Sequence, residues 1–247
     1  MLTLGIDLAA EPERTALAWI EWLAGRAIVR DACWGADDKA ILAAVTEADK
    51  VGIDCPLGWP DAFITFVRAH QAGSVAIPRG IADRGWRRSL TLRLTDKVVK
   101  QETLLTPLSA SGDRIGHVAM RCAVLLAQQG TAVDRNGSGK IAEVYPAASL
   151  KIWGLRYRGY KRPGDTQTVD KLVSELLQAA PWLELGEAEF LCRSRHDAVD
   201  AVVASLTARA ADRNLTLRPR TPEESAAART EGWIAFPLAD SLLSQLL

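Results

Sequence analysis

Leu2-Thr3-Leu4-Gly5-Ile6-Asp7 opens the chain, and Val51-Gly52-Ile53-Asp54 repeats its ending further along. Each stretch is an apolar run that stops on a carboxylate. An ionised carboxylate at the end of a buried strand is costly unless a cation or several N–H donors neutralise it. A single Asp in that position reads equally well as a cap on the turn that follows its strand. Two are harder to dismiss, because the text between them brings the two strands together. Residues 15–22 and 26–34 are rich in apolar and β-favouring residues and are separated by a turn at Gly25, which reads as a hairpin. From Asp37 to Ala48 the apolar positions Ala40, Ile41, Ala44, Val45 and Ala48 recur at helical spacing, with Asp37 or Asp38 placed to cap the start. Such a crossover helix can set the second Gly-Ile-Asp strand beside the first with the ends level. The opening order is therefore β-β-β-α-β, and a metal ion shared by Asp7 and Asp54 becomes the better explanation of the repeated phrase.

The remainder extends this α/β pattern. Residues 60–112 carry Pro78, Gly80, Gly85, Pro107, Gly112 and many arginines without a clean period, and read as a mostly helical insertion rather than a second domain. Residues 113–129 return to helical spacing, and the turn Asn136-Gly137-Ser138-Gly139 leads into a strand from Ile141 to Tyr145. Residues 149–192 read as helical with an aromatic and basic opening, and residues 194–211 as an Ala- and Val-rich helix. Thr221-Pro222-Glu223-Glu224 has the form of a capping box with Pro at the first helical position, and Trp233-Ile234-Ala235-Phe236 that of a short last strand. The expected architecture is a single domain over residues 1–247, with a central mixed sheet flanked by helices.

Composition narrows the chemistry. The 247 residues are 48% hydrophobic, enough for one large core. Lys plus Arg and Asp plus Glu both number 30, so no global field attracts polyanions, and any nucleic-acid binding must come from local patches. The four cysteines are dispersed, with no zinc-like spacing, and read as thiols of a reducing compartment. No secretory leader and no run of about 18 apolar residues is legible, which makes a cytoplasmic location the expectation.

A second acidic pair lies in His196-Asp197-Ala198-Val199-Asp200-Ala201. Asp197 and Asp200 are three apart on a helix, so they project from one face among small apolar residues. Asp197 alone could serve the helix dipole in the first turn, with Asp200 exposed. Joined to Asp7 and Asp54, the pair makes a set of hard oxygen donors suited to Mg²⁺ or Mn²⁺ rather than zinc. Glu143 falls on the strand that starts at Ile141, where alternation decides whether it faces metal or core. Two stretches offer positive charge. Residues 84–100 hold Arg84, Arg87, Arg88, Arg93, Lys97 and Lys100, and residues 151–162 mix five basic residues with Trp153, Tyr157 and Tyr160, a composition suited to phosphate contact and base stacking. Asp96 is also placed to pair with Arg93 and orient it.

Several phrases then point together. Gly5-Ile6-Asp7, Ile53-Asp54-Cys55-Pro56-Leu57-Gly58, Arg93-Leu94-Thr95-Asp96, Glu143-Val144-Tyr145-Pro146, Tyr160-Lys161, His196-Asp197-Ala198-Val199-Asp200-Ala201 and Glu231-Gly232-Trp233-Ile234 resemble, as a set, the motifs of domain of unknown function 429. That family is similar to the ribonuclease H-like nucleases. The resemblance implies a ribonuclease H-like fold and a two-metal nuclease acting on DNA or RNA. It implies Asp7 bridging two Mg²⁺ or Mn²⁺ ions, Asp54 with Asp197 and Asp200 completing their coordination, and Glu143 as an optional member. Arg93 and Lys161 are the implied substrate contacts. The alternative is a catalytically inactive module of the same fold that binds nucleic acid or protein. Other readings are weaker. Asn136-Gly137-Ser138-Gly139-Lys140 lacks the Ser or Thr and the helix that a phosphate loop requires. A His-Asp phosphohydrolase built on His196-Asp197 with His70 and His117 would leave two strand-end aspartates unexplained. A sugar-kinase-like phosphotransferase would need a glycine-rich loop where Ala9-Ala10-Glu11-Pro12 stands.

Overall fold

The computed structural model describes residues 1–76, 84–130, 132–162 and 164–247; Pro78 and Gly80 of the insertion lie outside them. Strand β1 (Leu2–Asp7) pairs antiparallel with β2 (Ala16–Leu23), which pairs antiparallel with β3 (Arg26–Trp34). Helix α1 (Asp38–Glu47) begins at Asp37, whose side chain accepts the Ala40 N–H, and returns the chain to β4 (Lys50–Ile53). Strand β4 lies parallel to β1, with Gly5 opposite Gly52 and Ile6 opposite Ile53. The two Gly-Ile-Asp phrases thus run side by side in register.

The segment after β4 is helical among its described residues, through α2 (Asp61–Gln71), α3 (Arg84–Thr91) and α4 (Leu94–Thr103). Helix α5 (Ile115–Ala127) leads to β5 (Ile141–Val144), which adds parallel to β4. The stretch read as continuously helical over residues 149–192 is instead broken. It contains α6 (Pro146–Ile152), α7 (Thr166–Ala179), the two-residue strand β6 (Leu183–Glu184) and α8 (Glu189–Ser194). Pro181 has no N–H to continue α7, and the chain beyond it is drawn to the free edge of β3, where β6 pairs in parallel. Helix α9 (His196–Asp212), α10 (Pro222–Glu231) and β7 (Ile234–Ala235) complete a seven-stranded mixed sheet in the order β6-β3-β2-β1-β4-β5-β7. The capping box at the start of α10 forms as read, with Thr221 accepting the Glu224 N–H and Pro222 in the first turn. No helix of the described residues is long and apolar enough to cross a membrane.

Both sheet faces are covered. On one, Ile41, Ala44 and Val45 of α1 and Val118, Ala119, Cys122 and Leu125 of α5 pack on Leu4, Ile6, Val51 and Ile53. On the other, α7 and α9 pack on Ala16, Ala18, Ile20 and Val29. Alternation along β1 turns Gly5 towards α9, and a Cβ there would collide with the Ala201 carbonyl oxygen and the Ser205 nitrogen. Gly52 meets the Ala204 carbonyl in the same way. Glycine in both phrases therefore lets one helix lie directly on two strands, while the following isoleucine fills the opposite face.

Candidate metal centre

The same alternation places the aspartates. Asp7 stands two residues beyond Gly5 and Asp54 two beyond Gly52, so both project on the α9 side. Helix α9 runs against β1 with a matched rise, since two strand residues advance about 6.6 Å and four helical residues about 6 Å. Thr3 and Ser205 hydroxyls meet at 2.7 Å, and Gly5 sits against Ala201. The next step along this ladder brings Asp7 to the first turn of α9. There one ligand atom each from Asp7, His196 and Asp200 lies within 4.8 Å of the others. Asp54, held beside the end of β1 by its N–H donating 2.8 Å to the Ile6 carbonyl, adds a fourth charged or ligating group nearby.

The electrostatics follow from crowding acids in a poorly solvated corner. Asp7 is raised well above the usual carboxylate range, first by burial and then by Asp200, with Lys161 pulling against this and Asp54 and Asp197 adding to it. Asp54 is pushed up to about 7 by burial, opposed by Lys161 and reinforced by Asp200 and Glu143. Asp200 is fully buried. Tyr160 donates its hydroxyl to Asp200 Oδ1 at 2.8 Å, and Lys161 Nζ lies 2.6 Å from Oδ2 in an ion-pair contact outside hydrogen-bond geometry. Asp197 turns instead to its neighbour, with Oδ1 at 3.1 Å from His196 Nδ1. Its carboxyl sits below the ordinary range: burial opposes this, but His196, Arg14 and Lys161 outweigh burial. Asp7, Asp54, His196 and Asp197 line a pocket of about 950 Å³, together with Arg14, Arg114, His117, Tyr145, Arg158 and Lys161, while Asp200 is fully buried behind them.

Two expected participants have other tasks. Glu143 pairs in register with Ile53 and shares its face of the sheet, away from α9. Both of its oxygens accept from Arg93, at 2.6 and 2.8 Å, and Oε2 also accepts the Leu57 N–H at 2.9 Å. Burial lifts the Glu143 carboxyl above its ordinary value even though Arg93 and the Leu57 N–H oppose it. Arg93, expected to meet substrate, is 1% exposed, and its remaining bonds go to Asp96 and the Glu231 carbonyl. All five of its N–H groups are thus committed to protein acceptors, which leaves none for a phosphate. The pairing with Asp96 is the one the spacing suggested. Base stacking by the second basic stretch is also corrected in part. Tyr160 is buried against Asp200, and the Tyr157 ring already carries Lys151 and Arg158 at 5.3 and 5.2 Å.

His196 and Tyr160 are the participants that sequence reasoning passed over as donors. His196 carried a signal, its position beside Asp197, but only the rotation of the first turn of α9 decides that it reaches Asp7. Residues 5–224 match the family described as Protein of unknown function (DUF429). No curated protein matches the chain. The matched span includes both Gly-Ile-Asp strands, the Arg93 and Glu143 pair, Tyr160-Lys161 and the acidic face of α9, and the chain belongs to the DUF429 family.

Proposed function

We propose that the protein is a divalent-metal-dependent nuclease of ribonuclease H-like fold, hydrolysing phosphodiester bonds of DNA or RNA. The observation that carries this reading is the convergence of Asp7, His196 and the buried Asp200 where Asp7 and His196 line a pocket that also holds basic side chains. Two carboxylates and one imidazole fit Mn²⁺ or Mg²⁺, the hard oxygens favouring these ions and the nitrogen tilting the balance to Mn²⁺. Burial and crowding with other acids raise the Asp7 and Asp54 carboxyls, a cost that a bound divalent cation would offset. The strand order supports the fold: three antiparallel strands, then parallel strands added beyond β1 through helical crossovers.

A bound divalent ion supplies an activated water and stabilises charge on phosphate oxygens. The chain's own groups set the rest. Asp54 lies where it can accept a proton from water at the floor, and its carboxyl near 7 suits that role at neutral pH. Arg14, Arg114 and Arg158 on the pocket wall offer donors to a phosphate backbone although the whole chain is neutral.

The test is incubation of the purified protein with Mn²⁺ or Mg²⁺ and single-stranded, duplex, hybrid and branched nucleic acids. Asp7→Asn and Asp54→Asn are expected to lower metal-dependent cleavage by on the order of 10²-fold or more. Cleavage that persists unchanged in both variants overturns the proposal. Metal-independent binding without turnover on any substrate favours the inactive binding module.

A further inference from the structure

The two-metal arrangement implied by the resemblance needs two cations a few ångströms apart, and one cationic group is already built into the floor. Lys161 Nζ approaches Asp200 Oδ2 at 2.6 Å outside hydrogen-bond geometry, and Asp200 Oδ1 accepts one hydrogen bond, from Tyr160, which leaves the carboxylate lone pairs for an ion. Asp54 stands outside the converging trio of Asp7, His196 and Asp200, which is the one such group among the described residues. We infer that the site takes a single divalent ion, on Asp7, His196 and Asp200, and that the Lys161 ammonium serves as the second cation. This rests on the reading of the floor as a metal centre and changes how many ions it holds.

The charge balance around the lysine supports the assignment. The Lys161 ammonium is fixed by two neighbours, the Asp200 carboxylate at 2.6 Å and the Tyr160 ring, whose centre lies 5.7 Å away. A second divalent ion would have to displace this ammonium from Asp200 while sitting about 4 Å from the first ion, the usual spacing of paired metals. Each ion would then repel the other with fewer oxygens to share, because Asp197 faces His196 and Glu143 is committed to Arg93. Half of the Lys161 side chain is open to the pocket, with 47% of its surface exposed. Lys161 lines the pocket while it contacts Asp200, so the same residue faces both the acids and an incoming phosphate.

The experiment is a count of Mn²⁺ bound per full-length chain, by native mass spectrometry and equilibrium dialysis at saturating Mn²⁺. Asp7→Asn provides the correction for ions bound elsewhere. The expected counts are one ion for wild type, two for Lys161→Met and one for Lys161→Arg, which keeps the charge. Circular dichroism checks folding, and Lys161→Gln replaces the methionine variant if that protein does not fold. Two ions in wild type overturn the inference, as does a single ion in the neutral variants. No ion in any of the proteins overturns the reading of the floor as a metal centre, so the two failures are distinct.

Discussion

Two groups of buried acids lie beneath the same pocket, and their charge is met in opposite ways. Around Arg93, Asp96 and Glu143 each take two guanidinium bonds, and backbone N–H groups of Arg93 and Leu57 supply more. Around Asp7 gather the carboxylates of Asp54, Asp197 and Asp200, and Lys161 is in contact with Asp200. The first group has donors in place and no need of a ligand. The second has a surplus of negative charge held in place by the fold. Buried acid is costly in both, and the difference shows that unmet charge, more than acidity itself, separates a site from a brace.

The largest break in this contrast comes from removing the brace's cation. Arg93→Met leaves Asp96 and Glu143 buried without a counter-charge and is expected to cost about 3–5 kcal/mol. Urea unfolding monitored by fluorescence reads this as a large fall in midpoint. Arg93→Lys recovers little, because an ammonium cannot reproduce two bidentate forks. A wild-type midpoint in Arg93→Met shows that the network is not a brace.

The opposite sign is expected at the candidate metal centre. In the absence of metal, the Asp54 carboxyl lies at about 7 in the folded protein against 3.8 for the ordinary group. Its contribution to stability is fully present below about pH 4 and is lost as pH rises through about 7. Asp54→Asn carries no such loss. In EDTA the variant should match wild type near pH 4 and exceed it by up to about 4 kcal/mol at pH 8. Denaturant titrations across that range check the prediction. A variant less stable than wild type at pH 8 shows that Asp54 is already satisfied without metal. Mn²⁺ should narrow the gap by binding the folded wild type.

These contrasts also explain what the sequence could and could not reveal. Gly5-Ile6-Asp7 and Gly52-Ile53-Asp54 were legible because a period of two assigns each residue a face, and the level ends follow from one crossover helix. Asp200 was legible from its spacing to Asp197 on an apolar helix. The family-like phrases, however, divide between two structures that sequence alone cannot separate. Both Gly-Ile-Asp phrases and the α9 phrase build the candidate metal centre, whereas Arg93-Leu94-Thr95-Asp96, Glu143-Val144-Tyr145-Pro146 and Glu231-Gly232-Trp233-Ile234 build the brace. A basic residue in a basic stretch reads as a surface contact, and only tertiary packing buries Arg93. Glu143 depended on the register of β5 against β4, a non-local quantity.

Glu231 gives the finest test of the brace, and its expected effect is the smallest. Its Oε1 accepts the Asp61 N–H at 2.8 Å and its Oε2 the Leu94 N–H at 2.7 Å. These are the first residues of α2 and α4, so one carboxylate closes the N-termini of two helices. Pro60, at the N-cap of α2, has no side-chain donor or acceptor to do this itself. A negative charge is also favoured there by both helix dipoles. Glu231→Gln keeps one acceptor oxygen and loses the charge, so it should cost about 1 kcal/mol. Hydrogen exchange should quicken at the amides of Asp61 and Leu94, with the Asp7 strand unchanged. Equal acceleration at Asp7 would join the two acid groups into one cooperative unit, whereas exchange confined to α2 and α4 keeps the brace energetically separate from the crowded acids of the candidate metal centre.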